Sequence, residues 1–251
     1  MRFARLFHRF ASPPHFFRLA SILAPWLAAA AAVLIFAGSY CGLVLAPADY
    51  QQGDAFRIIY VHVPSAYLSM LAYVVMAVTA AIGFIWRIKL AHAVAASAAP
   101  LGAAFTLLAL VTGALWGKPM WGTYWQWGDA RLVSELLLLF LYLGYLALRA
   151  AFDDIDRADR TSAILAVVGV VNIPIIHFSV EWWATLHQGP TISKFAEPSI
   201  TWNMLYPLLL LITGFTCYFS WVLLLHVKAA VLRREQHTQW VRQLVVEHEP
   251  S

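Results

Sequence analysis

A chain of 251 residues that is 61% hydrophobic and only 12% charged is too apolar for a soluble globular protein and reads as an integral membrane protein. Its formal charge of +4 reports orientation across a bilayer, so no nucleic-acid site is read into it. Cys41 and Cys217 both fall inside apolar runs, which excludes a disulfide framework and makes them small buried hydrophobes.

The N-terminal segment Met1 to Leu19 mixes Arg2, Arg5, Arg9 and Arg18 with Phe3, Phe7, Phe10, Phe16 and Phe17. It suits a short interfacial helix broken at Pro13-Pro14 or, the preferred reading, a plain basic anchor. Six apolar runs follow, each near the length of about 20 residues that a helix needs to cross the hydrocarbon layer. They are Ile22 to Leu45, Val61 to Trp86, Ala93 to Leu115, Leu132 to Phe152, Thr161 to Val180 and Asn203 to Val227. The first ends near Ala46-Pro47-Ala48, but its 24 residues exceed a signal-peptide core of about 7 to 15, so it reads as a retained anchor. The tail after Val227 is basic and then mixed, a short helix that frays.

The fold class is therefore an all-α six-transmembrane-helix bundle, since open strands cannot satisfy their backbone groups in lipid. Of the Lys and Arg side chains, 13 fall on the side of the N-terminus and four (Arg57, Lys118, Arg131 and Lys194) on the other. The positive-inside rule then puts both termini in the cytoplasm. Three segments face outward: Ala46 to Tyr60, Trp116 to Arg131 between helices 3 and 4, and Glu181 to Trp202.

The middle one, WGKPMWGTYWQWGDAR, holds Trp116, Trp121, Trp125 and Trp127 with Tyr124. These are too concentrated to be interfacial anchors alone, whereas Trp182-Trp183 and Trp202 fit an aromatic belt. Aromatic faces among small residues suit a broad, flat, mostly apolar ligand with polar contacts at its edge, such as haem. Among nine histidines, His8, His15, His92, His226, His237 and His248 lie at the cytoplasmic face, where solvated histidine is the default. His62, at the start of the second span, and His187, in EWWATLHQGP beside the Gly189-Pro190 turn, share the outer level of the tryptophan segment. Two imidazoles on opposite faces of a macrocycle complete axial ligation of haem iron. His177, three residues after Pro174, reads better as a histidine bonded to a neighbouring helix or to a carbonyl freed by the proline. No G-x-x-x-x-G-K-[ST], C-x-x-C-H, H-E-x-x-H or G-x-S-x-G occurs, which removes P-loop ATP binding, covalent haem attachment and the commonest hydrolase signatures.

The stretches FRIIYVHVPSAYLSM, WGKPMWGTYWQWGDARL with SELLLLFLYLGY, and VNIPIIHFSVEWWATLHQGP, together with APADYQQGDAFRIIY, carry a resemblance over Ala46 to Pro190. Here the chain resembles the CcmC family, haem exporter protein C of bacterial cytochrome c maturation system I, which has a tryptophan-rich (WWD) periplasmic loop. The resemblance implies a multi-pass protein of the bacterial inner membrane that binds haem b as cargo at the periplasmic face, with His62 and His187 as axial ligands. It also implies delivery to the haem chaperone CcmE and association with the ATPase CcmA, the membrane subunit CcmB and the small CcmD. The usual loop reads Trp-x-Trp-Asp, whereas Gly128 here separates Trp127 from Asp129. Glycine permits a positive backbone angle that would restore the direction of Asp129, whose family role is left open.

The expected haem platform comprises Trp116, Trp121, Tyr124, Trp125, Trp127 and Asp129, with Lys118, Arg131 or Arg57 pairing with propionates. Arg57 serves as well simply flanking a span, and Asp129 and Arg131 serve equally by pairing with each other. Glu135 is a helix-start charge or a bundle contact. On this reading the protein is a binding and delivery component, without enzymatic activity of its own. Two other classes compete: a conduit that passes haem through the bundle along polar residues such as Asn172 and His177, and a true haem lyase.

Overall fold

The computed structural model describes residues 12–183, 185–187 and 199–247, with backbone alone for 245–247. The expectations for Met1 to Ala11, including Arg2, Arg5, His8 and Arg9, lie outside the described residues, as do those for Gly189-Pro190, Lys194 and His248. Among the described residues eight α-helices follow in chain order: α1 Pro13–Tyr40, α2 Ile59–Trp86, α3 Lys89–Trp121, α4 Ala130–Ala150, α5 Ile155–Gly169, α6 Asn172–Trp182, α7 Trp202–Arg234 and α8 Gln239–Glu247. They supply six helical stretches of 21 to 33 residues that are long and apolar enough to cross a membrane. Among the described residues extended pairing is confined to one isolated bridge, Asp49 with Gly53.

Several boundaries differ from the sequence expectation, each for a local reason. Pro13 and Pro14 start α1, because the first turn of a helix has no use for their missing amide hydrogens. The third span runs to Trp121 rather than Leu115, passing through Lys118 and Pro119 until Gly122, at φ 77°, donates its N–H to Lys118 and ends it. The fifth run is two helices, α5 and α6, parted at Val170-Val171. Pro174 offers no amide to the Val170 carbonyl, which instead accepts from Ile173 at 3.0 Å. The sixth span continues past Val227 to Arg234.

The helices pair in sequence-local and remote sets. A turn at Arg87, in the left-handed conformation at φ 56°, folds α3 back along α2. Alanines from both, among them Ala72, Ala80, Ala95, Ala98 and Ala99, are fully buried between them. Small side chains let two backbones approach closely, and that contact is what holds helices together where lipid removes the hydrophobic drive. Gly102 extends the seam: a Cβ there would overlap the ring of Tyr142 from α4. Helix α1 packs chiefly on α7, with Gly38 against Leu211 and Gly214 against Ile35.

At the end of the bundle opposite the tryptophan segment, Asp159 of α5 accepts from Arg149 of α4 and from Arg234 of α7, the latter at 2.7 Å. Arg234 also reaches the exposed Asp156 at 2.9 Å. His92, expected at a solvated surface, is buried instead, its ring filling the space that Gly83 leaves by lacking a Cβ. The tail helix α8 folds back so that Trp240 meets Phe17 of α1 at 5.8 Å, and Lys228 lies 4.6 Å over the Phe17 ring.

The Asp159 junction yields a stability test. Replacing Asp159 by Ala takes the carboxylate from Arg149 and leaves Arg234 only the exposed Asp156, and unfolding of the detergent-solubilised protein should show a loss of about 3 kcal/mol. Asp156→Ala removes only an exposed partner and should cost less than about 1 kcal/mol in the same titration.

Candidate functional site

The ends of α2, α3 and α4 remote from the Asp159 junction converge with two loops. The first, residues 46–58, is a compact turn in which Asp49 accepts the amides of Gln51 at 2.9 Å and Gln52 at 2.8 Å. The side-chain carbonyl of Gln52 then accepts the indole N–H of Trp116 at 2.9 Å, which fixes that ring at the end of α3. Trp116 stands edge-on to His62, ring centres 5.7 Å apart at 78°. The imidazole Nδ1 of His62 lies 3.1 Å from both the Ala109 carbonyl and the Thr112 hydroxyl oxygen.

On the other side, Asp129 is the N-cap of α4. One carboxylate oxygen accepts the amides of Arg131 at 3.0 Å and Leu132 at 3.1 Å, satisfying donors that the first helical turn leaves open. The second oxygen accepts the amide of Leu186 at 2.8 Å and lies 3.3 Å from Nδ1 of His187. One fully buried carboxylate therefore ties the 185–187 segment to the start of α4 and holds the second histidine. The His187 ring lies 4.9 Å from Trp121 at 63°. Each histidine of the expected pair thus has a tryptophan beside it and its Nδ1 engaged, so Nε2 is the nitrogen available to a ligand.

The electrostatics favour that state. Burial works to raise the Asp129 pKa, but the amides of Leu132 and Leu186 and the neighbouring His187 overcome it and hold the carboxyl below its usual 3.8. His187 is held below its usual 6.5, first by burial and then by Arg131, against the opposing pull of Asp129. Imidazole at this position is therefore neutral at neutral pH, the form that ligates metal. Arg131 itself is half-buried and within electrostatic range of Asp129, Glu135, His62 and His187. Among the described residues no hydrogen bond or ion pair occupies its guanidinium.

The remaining expected residues divide. Lys118 donates to the Gly122 carbonyl at 3.0 Å and lies 5.3 Å over Tyr124, so it closes the end of α3. Arg57 is bound to Asp54 at 2.9 Å and to the Gly42 carbonyl at 2.8 Å. Trp125 and Trp127 meet edge-on at 5.4 Å and line an apolar groove of about 390 Å³ with Leu107, Leu110, Val111, Ala114, Leu136 and Leu139. At about 100° per residue, these α3 positions lie on the side of the helix opposite Ala109, Thr112 and Gly113. The four tryptophans are accordingly two pairs, one beside the histidines and one over a separate groove. Gly128 takes no positive φ; in this loop Gly122 does. Asp129 keeps its direction through the N-cap instead.

Within the bundle, Glu135 is a contact between helices: Ser69 donates to it at 2.7 Å, and Tyr142 donates to the Ser69 carbonyl at 2.7 Å. Asn172 faces inward and donates to the Ser134 carbonyl at 2.9 Å. His177 faces outward, exposed, with its ring 4.8 Å from Phe178; among the described residues neither the expected bond to a neighbouring helix nor one to a backbone group freed by Pro174 is found. Sequence reasoning missed Gln52, Thr112 and Gly113. Only the threonine one turn before Trp116 carried a local signal, a polar residue in an otherwise apolar run.

Asp129→Asn separates capping from holding. Asparagine still caps α4, but its amide nitrogen would face the donors of Leu186 and His187. A hydrogen bond to a charged group contributes about 1.5 to 3 kcal/mol, so hydrogen exchange at the Leu186 amide should accelerate at least roughly tenfold while α4 stays protected.

The family model described as Heme exporter protein C matches residues 6–242. The chain is 49% identical to Heme exporter protein C of Haemophilus influenzae over 237 residues, covering 94% of this chain and 96% of that protein. It is likewise 49% identical to Heme exporter protein C of Escherichia coli over 239 residues, 95% and 96% of the two chains. A putative cytochrome c biosynthesis ccmC-like mitochondrial protein of Marchantia polymorpha is 45% identical over 201 residues, 79% of this chain and 82% of the other.

Proposed function

The chain belongs to the Heme exporter protein C family of multi-pass membrane proteins that handle haem for cytochrome c biogenesis, and from that premise we propose that it holds haem at the periplasmic face of a bacterial inner membrane and delivers it. His62 and His187 are the axial ligands. The observation that carries this reading is that two histidines 125 positions apart in the chain each engage Nδ1 beside a tryptophan and, among the described residues, find no partner at Nε2. A pair of neutral imidazoles bound through Nε2 is a ligand set for haem iron.

The roles around them follow from what each side chain is already doing. Arg131, with its guanidinium unengaged among the described residues, pairs with a propionate through charge-assisted bonds. Lys118 and Arg57 brace the loops that carry the site. Trp116 and Trp121 pack beside the ligands, while Tyr124, Trp125 and Trp127 offer apolar surface to an edge of the macrocycle or to the acceptor. The 13 to 4 distribution of basic residues supports cytoplasmic termini.

Haem is released to the chaperone CcmE, and beyond the two reversible iron ligands no side chain here need form a covalent bond to the porphyrin; the contribution is orientation. ATP hydrolysis belongs to a partner, CcmA, working with CcmB and CcmD, in keeping with the missing P-loop sequence. A conduit through the bundle fits less well, because Asn172 faces α4 and His177 faces outward, so the two do not line a common path.

The absorption spectrum of the purified, haem-loaded protein tests the ligands. His62→Ala and His187→Ala should each abolish the six-coordinate low-spin spectrum and lower haem retention at least about tenfold; a double variant that keeps both would defeat the assignment. Retention should also depend on pH in one direction. With His187 held below 6.5, haem stays bound through neutral pH and is lost as acidification protonates that ring.

A further inference from the structure

His62 begins on α2, yet α3 holds its ring. The Ala109 carbonyl can only accept a hydrogen bond. Thr112 could donate or accept, but its hydroxyl hydrogen is directed to the Leu108 carbonyl at 2.6 Å, as is usual for threonine in a transmembrane helix. Its oxygen therefore meets Nδ1 of His62 with lone pairs, at 3.1 Å. Both partners being acceptors, the ring hydrogen must sit on Nδ1 and the Nε2 lone pair is left free.

The next residue sets how closely the edge of the ring approaches α3. A Cβ built on Gly113 would stand 3.0 Å from Cε1 of His62, 3.5 Å from Nδ1 and 3.9 Å from Nε2. A side chain there would press on that edge, and the imidazole would have to give by a few tenths of an ångström. Trp116, one turn beyond Thr112, meets the same ring edge-on. Ala109, Thr112, Gly113 and Trp116 thus share one stripe of α3 at three- and four-residue spacing.

We infer that Thr112 and Gly113 are positioning residues for haem ligation: the threonine joins the Ala109 carbonyl in holding the ring hydrogen on Nδ1, and the glycine leaves room for the Cε1 edge of the ring against α3, so that Nε2 faces the cargo. This rests on His62 being an axial ligand. It also makes the two ligands unequal. His187 is backed by the Asp129 carboxylate, which raises ligand basicity, whereas His62 is backed by a neutral carbonyl and hydroxyl. Tuning of the iron therefore comes from the Asp129 side, and placement from the α3 side.

The test compares Thr112→Val, Thr112→Ser, Gly113→Ala and His62→Ala in the full-length, haem-loaded protein, reading spectrum, haem retention and reduction potential. Thr112→Val matches the shape of threonine but lacks the acceptor; it should lower retention roughly tenfold, the lower end of the range for such partners because the Ala109 carbonyl remains. Thr112→Ser should restore it. Gly113→Ala should shift the spectrum from low-spin towards a high-spin mixture, with the haem-free protein as heat-stable as the parent. If Thr112→Val and Gly113→Ala both keep the parental spectrum and retention while His62→Ala loses them, the positioning role is wrong and the ligand assignment stands. Should His62→Ala itself change nothing, the ligand assignment falls and this inference falls with it.

Discussion

Inside hydrocarbon no water is available to a backbone amide or carbonyl, so every such group must be paired within the protein. That constraint makes the spans helical, and it also confines irregular backbone to their ends. Groups with chemistry to offer gather there. His62 sits in the first turns of α2, Asp129 caps α4, and His187 lies just beyond α6. The bundle between them is built of alanine, leucine and tyrosine and serves to bring those ends to one level.

The single carboxylate of Asp129 carries most of that alignment. Its oxygens serve four donors drawn from two remote parts of the chain. Such a group is costly to bury alone, and here the amides and imidazole around it supply the compensation. Because the same side chain caps a helix and orients a histidine, the position of His187 is tied to the rigid start of α4 and not to its own loop.

Arg131 is the complementary feature. A cation near two carboxylates and two imidazoles, with its guanidinium uncommitted among the described residues, leaves the site prepared for an anion. On the proposed function that anion is a haem propionate, and the aromatic walls take the apolar remainder of the disc. The delivery proposed above demands that such binding be reversible, and a site made of helix ends and one loop is easier to open than one enclosed within a bundle.

Hydropathy alone determined the six spans, because transfer into lipid is a property that each residue contributes almost independently of its neighbours. The distribution of Lys and Arg allowed an orientation to be read in the same way. His62 and His187 could be singled out by their common level, and the resemblance to a known family named their roles. The tertiary structure decided what depends on direction and distance. It extended α3 through Trp121, because backbone hydrogen bonding outlasts hydropathy, and divided four tryptophans into two pairs, because opposite faces of a helix look alike in sequence. It gave Lys118 and Arg57 to bracing, buried His92 against Gly83, and found Thr112 and Gly113 behind His62. Those contacts join residues tens of positions apart, and a one-dimensional pattern does not record which of them meet.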